Sequence, residues 1–195
     1  MYRFLVSIFI ASILFLVACN SPFVSKNKGY PSIAFPQKSY QVFNQEGYPY
    51  TFEYPVYAQI DNNVNYFGAS KKTDSWINIH FPTMGATLYI SYSKIKAQQL
   101  DTLIKDAYTF ANNHNSRASF IADSLFANEQ GVEGVFFHIG GDVATSYQFF
   151  LTDSTTHFFR GALYIDTTPN EDSLAPVNAF LYQDLKHLVN TFRWK

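Results

Sequence analysis

The chain has 195 residues, 47% of them hydrophobic and only 15% charged, which excludes general disorder and provides ample material for a buried core. Lys plus Arg number 14 against 15 Asp plus Glu, so no basic surplus exists to gather phosphates, and nucleic acid is not expected as a partner. The 20 Phe and 14 Tyr favour strands packed under aromatic cover, and the length suits one domain rather than two.

At the N-terminus Arg3 precedes an apolar run from Phe4 to Val17, broken only by Ser7 and Ser12, and Leu16-Val17-Ala18-Cys19 closes it. The run falls short of the roughly 20 apolar residues that cross a bilayer, so residues 1–18 are expected to be a signal peptide. Ala18 before Cys19 completes a lipobox, which predicts that Cys19 is lipidated by acyl chains, palmitate among them, and becomes the new N-terminus. Cys19 is the chain's one cysteine, so no disulfide within the chain is possible, and acylation would also close thiol redox or metal-thiolate chemistry. Residues 19–29 have the polar, Pro and Gly punctuation of a tether. Ten residues at about 3.3 Å each reach on the order of 33 Å. The tether has no acidic run past the cysteine, the feature some bacteria use for surface delivery. A cell-envelope location, lipid-anchored and periplasm-facing, is therefore expected.

Residues 30–195 are expected to form a single α+β domain. From Tyr30 to Gln59, Pro31, Pro36, Pro49 and Pro55 forbid a regular helix and predict an extended segment with an edge strand near Thr51 to Tyr54. Residues 76–81 and 86–92 flank Pro82-Thr83-Met84-Gly85 and predict a hairpin. Period-two alternation points Ile77, Ile79, Phe81, Leu88 and Ile90 inward. It places Trp76, Asn78, His80, Thr87, Tyr89 and Ser91 on the opposite face. Of these, Trp76, Asn78, His80 and Tyr89 make the candidate partner surface, because Trp and Tyr mixed with uncharged polar groups suit an interface. The alternative is that a helix or the extended N-terminal segment covers this face.

Leu100, Leu103, Ile104, Ala107, Tyr108 and Ala111 recur at helical spacing and predict a helix over 96–112. Residues 119–126 are ambiguous between helix and strand. Residues 133–139, 145–151 and 157–165 predict a three-stranded meander turned at Gly140-Gly141-Asp142 and Asp153-Ser154-Thr155-Thr156. A last helix follows the Asn170/Asp172/Ser173 entry, with Pro176 expected in its first turn and Phe192 and Trp194 completing the core. The order predicts a mainly antiparallel sheet with packed helices, an αβα sandwich similar in outline to the Mog1/PsbP-like fold.

The five histidines, His80, His114, His138, His157 and His187, show no metal-ligand spacing, and no metal site or cofactor is expected. Asp153-Ser154 with His157 lacks Gly-x-Ser-x-Gly, so it is read as a turn and not a triad; no catalytic residues are assigned. Strand alternation puts His157 and Arg160 on opposite faces, leaving Arg160 alone as a group for a partner carboxylate.

Several segments in order resemble the gliding-motility lipoprotein GldD family. They are Phe52-Glu53-Tyr54-Pro55, Trp76 with Asn78-Ile79 and Phe81-Pro82, and Ala86 to Tyr92, then Gln148-Phe149, Thr152 to Thr155, His157 to Tyr164 and the Trp194-Lys195 ending. The resemblance implies a non-enzymatic lipoprotein needed for gliding over surfaces and associated with type IX secretion, with other envelope proteins of that machinery as partners. Cys19 alone matches a functional position of the family. A small-ligand or lipid-binding lipoprotein and a surface hydrolase are the other classes, which a cavity or a cleft of convergent carboxylates would favour.

Overall fold

A computed structural model describes residues 33–62 and 75–195; the expected signal peptide, Cys19 and the tether lie outside the described residues. Within the unit Ala34–Lys195 the elements run β1 (Tyr40–Phe43), β2 (Tyr50–Pro55), β3 (Gln59–Asp61), β4 (Ile77–Phe81), β5 (Ala86–Lys94), α1 (Leu100–Asn112) and β6 (Ala118–Ala127). They continue as β7 (Glu133–Gly141), β8 (Tyr147–Thr152), β9 (His157–Ile165), α2 (Glu171–Thr191) and β10 (Arg193–Trp194). Seven strands form an antiparallel sheet ordered β3-β4-β5-β9-β8-β7-β6, and a second sheet is ordered β1-β2-β10. This is the α+β architecture expected, with antiparallel sheets and two helices.

Side-chain alternation assigns the layers. Val135, Phe137, Phe150 and Phe158 pack with Ala107 and Ala111 of α1 on one face of the large sheet. The residues between them in sequence point the other way. Phe136 and Tyr147 meet Tyr182 of α2, and Phe159 meets Tyr50 of β2 and Phe192 beyond α2. Covered on both faces, β8 is buried at all six positions, Gln148 included. The predicted inward set Ile77, Ile79, Phe81, Leu88 and Ile90 is buried throughout. Each such side chain contributes about 1.5–3 kcal/mol relative to exposure.

Two glycines are required by geometry. Gly85 ends the turn at Pro82–Met84 with φ of 55°, a left-handed conformation that side chains resist. Gly161 lies opposite Phe149, and a Cβ there would stand 2.4 Å from that ring.

The structure corrects three expectations and resolves one segment left open. The strand near Thr51 is not an edge: β2 is the middle of the second sheet, paired by β1 on one side and by Arg193–Trp194 on the other. α1 begins at Leu100 instead of residue 96. Residues 119–126 are strand, the outer edge of the large sheet beside β7. Asn170 caps α2 by accepting from the Ser173 amide, but Pro176 is the sixth residue of that helix, in its second turn.

A buried carboxylate fastens the N-terminal segment to α2. Asp184, 2% exposed, accepts from the Tyr40 hydroxyl at 3.0 Å and the Tyr57 hydroxyl at 2.6 Å, and pairs with Lys38 Nζ at 2.6 Å. Lys38 also donates to the Phe180 carbonyl and lies 3.4 Å above the Phe180 ring. Burial, then the charge of Asp184, pushes the Tyr40 phenol up to about 12. Asp184→Ala removes the counter-charge of Lys38 and the acceptor of both hydroxyls, and should cost about 3 kcal/mol in urea unfolding. A loss under about 1 kcal/mol would show that the cluster does not hold the segment.

Candidate functional site

β4, β5, β9 and β8 place four residues in one cross-strand row facing the α1 side: Asn78 opposite Tyr89, Tyr89 opposite Ala162, and Ala162 opposite Gln148. In the adjacent row Ser91 stands opposite Arg160, and Arg160 opposite Phe150. Where α1 crosses this face, a cavity of about 280 Å³ opens between the helix and the strands. Trp76, Asn78, Tyr89, Ser91 and Arg160 form its sheet side; Leu103, Asp106 and Phe110 supply its helix side.

The walls are held in position. Trp76 Nε1 donates to the Tyr92 carbonyl at 2.7 Å, and Tyr89 packs edge-on against Tyr164. Arg160 donates from Nη2 to Gln148 Oε1 at 2.8 Å, with its guanidinium 4.3 Å from the centre of the Phe110 ring. Tyr89 and Phe110 remain 43% and 47% exposed, so the aromatic walls are open to an occupant. Burial, then the nearby charge of Arg160, lowers the pKa of His114 and favours its neutral form.

Among the described residues three buried side-chain atoms have no hydrogen-bond partner: Asn78 Oδ1, Gln148 Nε2 and, on the opposite side of the large sheet, Trp194 Nε1. All three are shielded from solvent, so none is presented to an occupant of the cavity. A second cavity, of about 560 Å³ between the other edge of α1 and β6–β7, is walled by Ile104, Tyr108, Leu125 and Val135.

The structure thus brings Trp76, Asn78 and Tyr89 together and sets His80 apart. His80 lies one row along, with Nδ1 3.0 Å from Thr87 Oγ1 and Nε2 3.9 Å from Asp61. α1 approaches the predicted face from one side without closing over Tyr89. Asp106 and Phe110 were not foreseen. The signal for them was Arg160, whose parity on β9 matches that of Phe158 under α1.

Asp153, Ser154 and His157 form a turn. Asp153 Oδ1 accepts from the amides of Thr155, Thr156 and His157, and Ser154 has φ of 63°. Burial works against the Asp153 anion, but these amides outweigh it and hold its carboxyl below the usual range. His157 instead bonds the Tyr92 hydroxyl at 2.7 Å and stacks on Trp194, on the sheet face away from Arg160. Phe192 is wholly buried, whereas Trp194 is partly covered and belongs to β10. No group of three or more His, Cys, Asp or Glu is arranged for a metal ion among the described residues.

No curated protein matches the chain. It is similar to the solution structure of cyanobacterial PsbP (CyanoP) from Synechocystis sp. PCC 6803, at 16% identity and a TM-score of 0.46, over 85% of this chain and 98% of that one. That likeness is too remote to transfer any property. The family model for gliding motility lipoprotein GldD matches residues 20–194, nearly the whole sequence. The chain is therefore a member of the gliding motility lipoprotein GldD family.

Proposed function

We propose that the protein is a non-catalytic assembly or structural component of the gliding and type IX secretion machinery, held on the membrane through Cys19 and facing the periplasm. Membership of a gliding motility lipoprotein family carries this reading. In it, residues 1–18 are removed as a signal peptide, residues 19–29 are the tether, and the domain meets other envelope proteins through the face of Trp76, Asn78, His80 and Tyr89. Fixed, half-exposed aromatic rings among uncharged polar groups support that choice of surface.

Trp76→Ala and Tyr89→Ala should each weaken capture of crosslinked envelope partners by roughly 1–4 kcal/mol, as interface anchors do, with melting temperature retained. Mass spectrometry of partners crosslinked in living cells, beside a thermal melt, is the measurement. Retained capture at retained stability would remove the docking surface. A second reading, a small-ligand or lipid-binding lipoprotein, is favoured by one observation: the cavity of about 280 Å³ under α1, walled by Trp76, Tyr89 and Phe110.

A further inference from the structure

β6 ends the large sheet, and its outer side is an unguarded ladder. Its ten residues, Ala118–Ala127, make the longest edge strand among the described residues; β3, at the other end of the same sheet, has three. Edge strands are ordinarily guarded by charges, proline or bulges. β6 has no proline, Asp123 is its one charge, and its bulge lies at the Ala118–Phe120 end. Which backbone groups face outward follows from the neighbouring ladders. Ile139 of β7 donates its amide to the Ser146 carbonyl on the β8 side, so the odd-numbered residues of β7 bond β8 and the even-numbered ones bond β6. Gly134, Phe136 and His138 are therefore bonded to Phe126, Ser124 and Ala122, and the Asn128 amide on the Val132 carbonyl continues that row. The amides and carbonyls of Ile121, Asp123, Leu125 and Ala127 turn the other way, and among the described residues no strand pairs with them.

We propose that β6 is a self-association edge, through which two copies of the chain pair antiparallel about a two-fold axis at Ser124. The outward row is centred on Ser124, so pairing there uses all of it: Ile121 stands opposite Ala127 of the second copy, and Asp123 opposite its Leu125. Each such pair exchanges two hydrogen bonds, about eight in all. Moving the axis to Asp123 or Leu125 shortens the ladder, and at Asp123 it also sets two carboxylates directly opposite. About Ser124 the carboxylate faces a leucine instead. Leu125, 88% exposed, gains a neighbour, while Asp123 keeps the Tyr108 hydroxyl at 3.1 Å. A second copy is favoured over an unrelated strand because the same residues supply both sides with matching length, register and charge. The axis stands perpendicular to the sheet, so one seven-stranded sheet continues into the other and both copies of α1 lie on one face.

The experiment is sedimentation equilibrium of the full-length lipoprotein in a polyoxyethylene ether detergent, with micelles in excess so that two copies do not share one by chance. The parent should show a reversible monomer–dimer equilibrium. Leu125→Asp sets a carboxylate opposite Asp123 at both ends of the symmetric pairing, and should raise the dissociation constant about tenfold. Leu125→Lys sets a cation there and should dimerise as tightly as the parent or more tightly. Residue 125 lies in water in the monomer, so both variants keep the fold and their difference reports the pairing. The proposal is overturned if the parent stays monomeric up to about 100 µM, or if Leu125→Asp dimerises as the parent does. Equal weakening by Asp and Lys would overturn the axis at Ser124, since that is the result for Leu125 facing its own copy. In living cells, p-benzoylphenylalanine in place of Leu125 should give a crosslinked product of two copies on irradiation. A crosslink to a different protein alone would overturn the second copy as the occupant of this edge.

Discussion

Cys19→Ala should move the protein out of the membrane fraction and abolish its labelling by an alkyne analogue of palmitate. No helix among the described residues is long and apolar enough to cross a membrane, so the folded domain brings no spanning helix of its own. On the proposed reading the apolar run before Cys19, too short for a comfortable span and ending at a lipobox, serves export, and acyl chains on Cys19 are the anchor. Each buried CH₂ contributes about 0.8 kcal/mol, and one chain alone gives marginal, reversible binding, so stable attachment needs a second chain or signal. Without the Cys19 thiol no chain is added, and the whole of that stabilisation disappears at once. Because residue 19 lies outside the folded unit Ala34–Lys195, the mutant domain should melt as the parent does. Persisting label, or unchanged sedimentation with membranes, would defeat the lipidation site and the anchored reading together.

What could be seen in the sequence follows from how local each signal is. The β4–β5 hairpin is written in its own alternation, so Ile77, Ile79, Phe81, Leu88 and Ile90 were assigned to the core and are buried. The same parity put Trp76, Asn78 and Tyr89 on one face, and three of the four nominated surface residues line one cavity. β1, β3 and β10 have four, three and two residues, too few for any period to register. The central position of β2 depends on pairing with Arg193 and Trp194, about 140 residues away, which no local pattern encodes. β6 is a sheet edge with most side chains exposed, so the alternation that marks a half-buried strand is missing. Periodicity showed that α1 has an apolar stripe but not which strands it would cross. Asp106 and Phe110 were therefore invisible as cavity residues, while His80, on the right face, was one strand row too far along to join them.

The same substitution at three leucines should have opposite consequences. Leu163 on β9 is 1% exposed and lies between Leu88 and Tyr147 in the sheet; Leu181 on α2 is 0% exposed; Leu125 on β6 is 88% exposed. Leu163→Asp and Leu181→Asp each remove a core side chain, a loss of about 2–5 kcal/mol for truncation alone. Each also places a carboxylate at a buried position. Neither a deprotonated nor a protonated carboxyl finds partners between two aromatic layers, which adds further to the cost. A domain of this size has on the order of 5–15 kcal/mol in total, so either change should remove the cooperative melt or lower its midpoint by ten degrees or more. Leu125→Asp, with its side chain in water, should stay within about 0.5 kcal/mol of the parent. Circular dichroism melts of the three variants provide the check. A cooperative transition in Leu163→Asp at the parental temperature would mean that the β9 register, and with it the placement of Arg160 at the cavity, is wrong.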